Sequence, residues 1–264
     1  MLGRRPDGFH DLETLITRIS LADRLKIDLS SGRGIEFSCD EPEIPQDRSN
    51  LVVQAAEAFM ELLPKARGVR IRLEKKIPHG AGLGGGSSNA AATLLALNQL
   101  CGHVLDSSQL RNLAAKLGSD IPFFLGNGPA KCTGRGDVLE PCAFSQELPL
   151  LLIKPPFSVS TPWAYSRWQD ARELHGIPYA AQIIGSVTLV NDLERPVFEK
   201  FLILGILKRW LLKRPECLGA LMSGSGSTLF AILREPSLAS ELAVEVRAEF
   251  GDSFWTHAGR AVGD

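Results

Sequence analysis

The alternation of apolar and polar residues marks several candidate β-strands. Residues 69–74, Val-Arg-Ile-Arg-Leu-Glu, alternate without a break and predict a strand with one buried face. Residues 150–154 form a short apolar run of the length expected for a fully buried strand. Weaker patterns predict further strands at residues 23–29, 35–38, 228–233 and 254–258.

Helical spacing alternates with these strands along the chain. Residues 51–63 have the apolar spacing of an amphipathic helix, which Pro64 would end. Residues 90–100 are rich in alanine and leucine and favour a helix opened by Ser87 or Ser88. A further helix is predicted after a cap at Asp106 or Ser107. Helices are also predicted at residues 197–204, 204–213 and 238–250. The pattern predicts mixed helices and sheets, with a lobe boundary near residues 143–148.

Composition and charge narrow the class of protein. The 264 residues carry 29 basic and 30 acidic side chains, a net charge of -1, without a long run of one sign. This balance argues against a nucleic-acid partner or an anionic membrane surface. The five cysteines are scattered, which argues against a disulfide scaffold. The same cysteine pattern favours a reducing cytosol, and no segment approaches the roughly 18 apolar residues of a membrane span, so we expect a soluble, cytoplasmic protein.

A glycine-rich loop between a predicted strand and a predicted helix carries the strongest chemical signal. Five glycines fall within seven residues of the chain, at Gly80, Gly82, Gly84, Gly85 and Gly86. Such a loop lets the backbone approach a ligand closely, and the start of the next helix supplies free N–H groups and a positive dipole end. The sequence therefore predicts a phosphate-binding site.

The loop does not match the two best-known phosphate-binding motifs. The Gly-x-Gly-x-x-Gly pattern is present, but no acidic residue follows at a strand end about 20 positions on, as a dinucleotide-binding fold requires. No lysine follows the last glycine, which excludes a Walker loop. From the residues alone, the loop is either a nucleotide phosphate site or a flexible turn.

Residues 78–91 resemble the ATP-binding loop of the GHMP family of small-molecule kinases. The triple glycine followed by Ser87, Ser88 and Asn89 is similar to the form found in members that act on a cytidine diphosphate-linked methylerythritol. The resemblance covers essentially the whole chain, because four further segments agree in order and spacing: residues 3–10, 118–124, 133–136 and 222–226.

The resemblance implies an α+β, two-lobe GHMP kinase fold. The N-terminal ATP-binding lobe, residues 1–145, would be similar to ribosomal protein S5, and the C-terminal lobe, residues 146–264, would be a ferredoxin-like α/β unit. It also implies ATP-dependent phosphorylation of the 2-hydroxyl of 4-diphosphocytidyl-2-C-methyl-D-erythritol, in non-mevalonate isoprenoid synthesis. Two alternatives stay open: another GHMP kinase of the homoserine or mevalonate type, or a catalytically impaired nucleotide-binding fragment.

Site residues follow from the same resemblance. Asp120 would be the catalytic aspartate that orients or deprotonates the attacking hydroxyl. Phe9 and Tyr165 would stack on the two faces of cytosine, and His10 would bond its polar edge. Gly224 and Ser225 would contact substrate from a second turn rich in amides. ATP would contact Pro78, His79, Gly80, Ala81, Gly82, Leu83, Gly84, Gly85, Gly86, Ser87, Ser88 and Asn89.

Further expectations concern the adenine, the metal and the start of the chain. Asn50 and either Lys75 or Lys76 would approach the adenine, and Mg²⁺ is expected with ATP, Ser88 being a possible contact. Oligomerisation beyond a monomer or weak homodimer is not expected. In the family, a strand with a catalytic lysine precedes the segment that matches residues 3–10, so we interpret Met1 as a start codon placed too late.

Overall fold

The described part of the chain combines mostly short strands with helices. A computed structural model describes residues 1–6, 8, 10–64, 67–142 and 147–262. The helices are α1 (Leu51–Met60), α2 (Gly85–Leu100), α3 (Ser107–Leu117), α4 (Thr161–Arg167), α5 (Glu194–Lys200), α6 (Leu202–Leu212) and α7 (Ala239–Phe250), with 3-10 helices at Pro122–Leu125 and Pro236–Leu238. The strands are β1 (Gly3–Arg4), β2 (His10–Asp11), β3 (Thr14–Ile16), β4 (Arg18–Ile19), β5 (Arg24–Ser30), β6 (Gly34–Cys39), β7 (Gly68–Glu74), β8 (Ala130–Thr133), β9 (Val138–Pro141), β10 (Leu148–Lys154), β11 (Gln182–Ile184), β12 (Val187–Leu189), β13 (Cys217–Met222), β14 (Leu229–Leu233) and β15 (Trp255–Val262).

The chain divides into two compact units. The second unit consists of the described residues from 147 onward together with two short segments, Thr17–Ser20 and Gly80–Leu83, and the first unit contains the rest. The main division therefore falls after Cys142. The sequence pattern does not predict that these two short segments belong to the second unit.

The first unit is built around strand β7. This strand pairs antiparallel with β5 and parallel with β6. Val69, Ile71 and Leu73 are buried, whereas Arg70 and Arg72 between them are exposed, as the alternation predicts. A second sheet has the order β3-β8-β9, and β1 pairs with β2.

Helices α1 and α2 bury their apolar faces in one cluster with β7. Phe59 of α1 and Leu94 of α2 are fully buried there. The Asn50 side chain caps α1 by accepting a bond from the N–H of Val52, and α1 ends at Met60, before the predicted end at residue 63. Helix α3 begins with a capping box between Asp106 and Gln109, as its cap residues predict.

The second unit has a five-stranded antiparallel sheet in the order β13-β14-β10-β15-β4. Leu150, Leu151, Leu152 and Ile153 are consecutive and all buried, so β10 is covered on both faces. This explains why its sequence shows an unbroken apolar run instead of alternation. The helices of this unit contribute fully buried side chains to the same core, among them Val197, Leu204, Leu207, Leu211 and Val246.

A buried ion pair lies behind the sheet of the second unit. The Nζ atom of Lys208, in α6, donates to Oε2 of Glu194, in α5, at 2.5 Å, and both side chains are 1% exposed. The other carboxylate oxygen accepts a bond of 2.9 Å from the N–H of Met222, at the end of β13. Burial raises the pKa of Glu194, and the charge of Lys208 opposes that effect.

The structure also contains elements that the sequence pattern did not predict. Strand β13 has a bulge between Cys217 and Gly219 and is buried at most positions, so it lacks the alternation that marks an exposed strand. Helix α4 carries Pro162 in its first turn, a position that proline tolerates. The predicted helices at residues 197–213 are present, but they meet at Phe201 and not at Leu204.

The buried pair makes a stability prediction. In the Lys208→Met variant, Glu194 would keep a buried charge without its partner, so we expect the free energy of unfolding to fall by about 3–5 kcal/mol. Urea denaturation measures this loss. Lys213→Met, at the exposed end of the same helix, serves as the control and should stay within about 0.5 kcal/mol of the parent. Equal stability of the two variants would contradict the role of the pair.

Candidate active site

The start of α2 is an open helix terminus. Its N-cap residue, Gly84, has a φ of 67°, and no side chain caps the helix. The N–H of Ser88 donates to the carbonyl of Gly84, which leaves the preceding N–H groups of the first turn without an intrahelical partner. Such a terminus binds anions through its N–H groups and its dipole.

The loop after α3 packs beside this terminus within the first unit. A Cβ atom on Gly84 would lie 2.9 Å from the Phe124 ring, so only glycine allows this approach. Ile121, which precedes the 3-10 helix, is fully buried in the same cluster as Ala90 and Ala91 of α2. The segment that carries Asp120 is therefore fixed against the helix that begins at the glycine loop.

Asp120 is a carboxylate in a desolvating environment. The residue as a whole is exposed, which leaves the side chain accessible to a substrate. Protein atoms packed around the carboxylate nevertheless desolvate it, and this raises the pKa of Asp120 above its ordinary value of 3.8. A carboxylate with a raised pKa is a better proton acceptor, which suits a general base.

A second carboxylate, Asp23, organises the approach to the glycine loop. One oxygen of Asp23 accepts bonds from the N–H groups of Lys76 and Ile77, at 2.7 and 2.8 Å. The other oxygen accepts from the Lys75 ammonium and, at 2.8 Å, from the Asn89 amide. Burial alone would raise the pKa of Asp23, but these hydrogen bonds outweigh it and the pKa is lowered.

Within the second unit, segment Gly80–Leu83 packs against the turn at residues 223–227. The hydroxyl of Ser223 donates to the carbonyl of Gly82 at 2.8 Å, and the N–H of Thr228 donates to the carbonyl of Ala81 at 3.2 Å. Gly82 has a φ of +72°, and a Cβ atom there would lie 2.5 Å from the carbonyl oxygen of Ser223. The contact thus requires glycine at this position.

The turn at residues 223–227 also contacts helix α4. The hydroxyls of Ser225 and Thr161 are hydrogen-bonded at 2.7 Å. Tyr165, on the same helix, is half-buried and packs against the core of the second unit. The structure therefore places the predicted residues Ser225 and Tyr165 on connected elements.

Comparisons with known proteins agree with this arrangement. The model of the GHMP kinase N-terminal domain matches residues 50–128, and that of the GHMP kinase C-terminal domain matches residues 169–252. A 4-diphosphocytidyl-2-C-methyl-D-erythritol kinase of Synechococcus sp. (strain JA-2-3B'a(2-13)) is 42% identical over 275 residues, which cover 97% of this chain and 88% of the relative.

The chain belongs to the GHMP kinases.

Solved structures of this family also match the chain. A crystal structure of 4-(cytidine 5'-diphospho)-2C-methyl-D-erythritol kinase is 37% identical, with a TM-score of 0.80, and the match covers 98% of this chain and 94% of that one. The homoserine kinase of Cytophaga hutchinsonii is 19% identical, with a TM-score of 0.66 over 94% of this chain and 89% of that one, which shows the shared fold alone. The two-lobe GHMP kinase fold expected from the sequence is confirmed.

The predicted nucleoside-binding residues of this GHMP kinase are only partly described. Phe9 lies outside the described residues. His10 is half-buried and pairs with Arg4 across the β1–β2 ladder, in the first unit. Tyr165 belongs to the second unit. The pairing of their side chains around a base therefore stays a prediction.

Two residues expected near adenine have structural partners. The Asn50 side chain accepts from the N–H of Val52 and donates to the carbonyl of Pro45 at 2.7 Å, so the cap of α1 uses both of its polar atoms. Lys75 is paired with Asp23, and its side chain is only 8% exposed. Sequence reasoning missed Asp23, because its partners lie more than 50 positions away along the chain.

The described residues contain neither a cluster of metal-binding side chains nor a helix that could span a membrane. No group of three or more His, Cys, Asp or Glu side chains is placed to bind a metal ion among them. None of the described helices is long and apolar enough to cross a membrane.

Gly84 provides a test of the glycine loop. We expect Gly84→Ala to weaken binding of a non-hydrolysable ATP analogue at least ten-fold, because it combines backbone strain with a clash against Phe124. Isothermal titration calorimetry measures the affinity. Gly102→Ala, just past the other end of α2, is the matched control, since Gly102 has a φ of +83° but open space around it. Equal affinities for the two variants would contradict a ligand site at Gly84.

Proposed function

We propose that this kinase transfers the γ-phosphate of ATP to the 2-hydroxyl of 4-diphosphocytidyl-2-C-methyl-D-erythritol. The observation that carries the proposal is the similarity over nearly the whole chain to relatives named for this substrate, at 42% identity. The homoserine and mevalonate kinase alternatives have weaker support, because solved structures bearing those names are 19% identical or less. The transfer belongs to the synthesis of isoprenoid precursors by the non-mevalonate route.

In the first unit, the open start of α2 is proposed to hold the phosphates of ATP. Phosphoryl transfer depends mainly on positioning and on electrostatic stabilisation of the charged oxygens. The free N–H groups after Gly84 and the helix dipole supply both, because they are fixed before the ligand arrives. Ser87 and Ser88 extend this surface along the first turn of the helix, whereas Asn89 is buried and would act through its bond to Asp23.

Asp120 is proposed to orient the substrate hydroxyl and to accept its proton as the oxygen attacks phosphorus. Burial raises the pKa of Asp120, which makes the carboxylate a better proton acceptor than an ordinary aspartate. The fixed position of its loop beside Gly84 supports this role, because a general base has to lie within reach of the reacting oxygen.

The remaining predicted contacts are also part of the proposal. Segment Gly80–Leu83, continuing from Pro78 and His79, and the turn with Gly224 and Ser225 would contribute backbone amides to phosphate or substrate. Phe9, His10 and Tyr165 would recognise cytosine. Mg²⁺ would arrive with ATP and neutralise phosphate charge, and the Ser88 hydroxyl is the proposed protein ligand.

Substrate choice is tested by measuring ADP release with three acceptors. We expect turnover with the cytidine diphosphate-linked methylerythritol to exceed that with homoserine or mevalonate at least a hundred-fold in kcat/KM, because only the first carries a nucleoside for the pocket to bind. Faster ADP release with either of the other acceptors would overturn the proposal.

Asp120→Asn tests the proton acceptor. An amide cannot take the proton, so we expect kcat to fall about a hundred- to ten-thousand-fold with little change in ATP affinity. In the parent enzyme the rate should decline as pH falls through the raised pKa of Asp120, above the ordinary 3.8 of an aspartate. Asp106→Asn, which keeps a good cap on α3, is the control and should retain activity. A kcat for Asp120→Asn within ten-fold of the parent would rule out this role.

A further inference from the structure

The start of helix α5 holds the end of strand β13 and the turn that follows it. The side-chain amide of Asn191 donates to two carbonyls, that of Met222 at 2.8 Å and that of Gly224 at 2.7 Å. Its own oxygen accepts from the N–H of Leu193 at 2.9 Å. Because all three bonds act on one planar group, the orientation of Asn191 is fixed on both sides.

Glu194, the first residue of α5, makes a further hydrogen bond to the end of β13. Its carboxylate accepts from the N–H of Met222 and is held in turn by Lys208. The N–H and the carbonyl of Met222 are therefore both bound, by Glu194 at the start of α5 and by Asn191 just before the helix. A residue held at both of its backbone polar groups has little freedom to rotate.

The contact at Gly224 determines which way the next amide points. The carbonyl of one residue and the N–H of the next belong to a planar trans peptide group and point in opposite directions. Since the carbonyl of Gly224 faces Asn191, the N–H of Ser225 points away from it. The N–H of Ser225 has no acceptor among the residues that the structure describes.

The same hydrogen-bond chain reaches the glycine segment. Ser223, between the two carbonyls that Asn191 holds, donates its hydroxyl to the carbonyl of Gly82. By the same geometry, the N–H of Leu83 points away from Ser223. All of these residues belong to the second unit, and Met222 is part of its buried core.

We infer that Asn191, supported by Glu194, is a positioning residue that aims the Ser225 amide, and through Ser223 the glycine segment, at the phosphate-bearing ligand. The inference rests on the proposed function, in which this turn contacts substrate or ATP. Asn191 itself need not touch the ligand. Its effect is to fix the direction of amides that would otherwise rotate with the turn.

The test compares Asn191→Ala with Gln182→Ala. Gln182 also makes two hydrogen bonds to β13, with the N–H and carbonyl of Ala220 at 2.9 and 2.8 Å, but it lies away from the turn. Asn191→Ala removes three hydrogen bonds, to β13, to the turn and to Leu193, and Gln182→Ala removes a comparable two, both to β13. We expect both variants to lose similar thermal stability, whereas only Asn191→Ala lowers kcat/KM, by about ten- to a hundred-fold.

Asn191→Asp separates positioning from packing. Aspartate keeps the size of the side chain and the bond from Leu193, but it places a carboxylate oxygen against two carbonyls. We expect it to impair kcat/KM at least as much as alanine does. The loss should appear mainly in KM for one substrate, whereas general destabilisation would reduce the amount of active enzyme and so lower kcat alone.

Titration of each variant with a non-hydrolysable ATP analogue and with the cytidine substrate shows which ligand is affected. If Asn191→Ala and Gln182→Ala lower kcat/KM by the same factor, or if Asn191→Ala folds and leaves every KM unchanged, the inference fails. Failure of the proposed function gives a different result, in which the parent enzyme itself turns over homoserine or mevalonate in preference to the cytidine substrate.

Discussion

The buried carboxylate of Asp23 is the constraint on which the geometry of the first unit depends. It joins the residue before β5, the connection that leaves β7 and the first turns of α2. Without it, the strand and the helix on either side of the glycine loop would keep their shared apolar cluster but lose the polar contacts that fix the connection between them. Lys75 is held next to Gly85 by the same carboxylate, 3.4 Å from where a Cβ atom would be.

The second unit uses the same principle with different residues. Glu194 and Lys208 form a buried pair, and the carboxylate holds the backbone immediately before the turn at residues 223–227. Burying two charges brings little net stability, because desolvation offsets most of their attraction. Such a pair instead favours one arrangement of the elements that carry it, because any other arrangement leaves a buried charge without its partner. In each unit a pair of this kind lies behind a glycine-containing segment.

Local signals in the sequence were sufficient to predict much of the fold. The alternation in β7, the apolar spacing of α1 and the cap residues of α3 predict those elements within a few residues. Helix α2 begins at Gly85, two residues before the predicted serines, because Gly84 adopts the left-handed conformation that ends the loop. Strand β13 was missed because its burial hides the period of two on which strand prediction depends.

The candidate site could be predicted where a motif is continuous and not where it depends on folding. The glycine loop and Asp120 are found from short segments and a family resemblance. Asp23 and Asn191 act on backbone groups that are distant in sequence, by 31 positions for Asn191 and Met222, and no local pattern shows such a bond. Asp and Asn are common in turns and helix caps, so the sequence alone would assign both residues to such positions.

Cys132, in β8, offers a way to observe the neighbourhood of Asp120 directly. It is fully buried, and burial, with a contribution from the negative charge of Asp120, raises the pKa of its thiol to about 11. At neutral pH the sulfur is thus both protonated and shielded, so alkylating reagents react with it only when this part of the first unit opens. The alkylation rate of this one cysteine accordingly reports how often the loop that carries Asp120 loses its native packing.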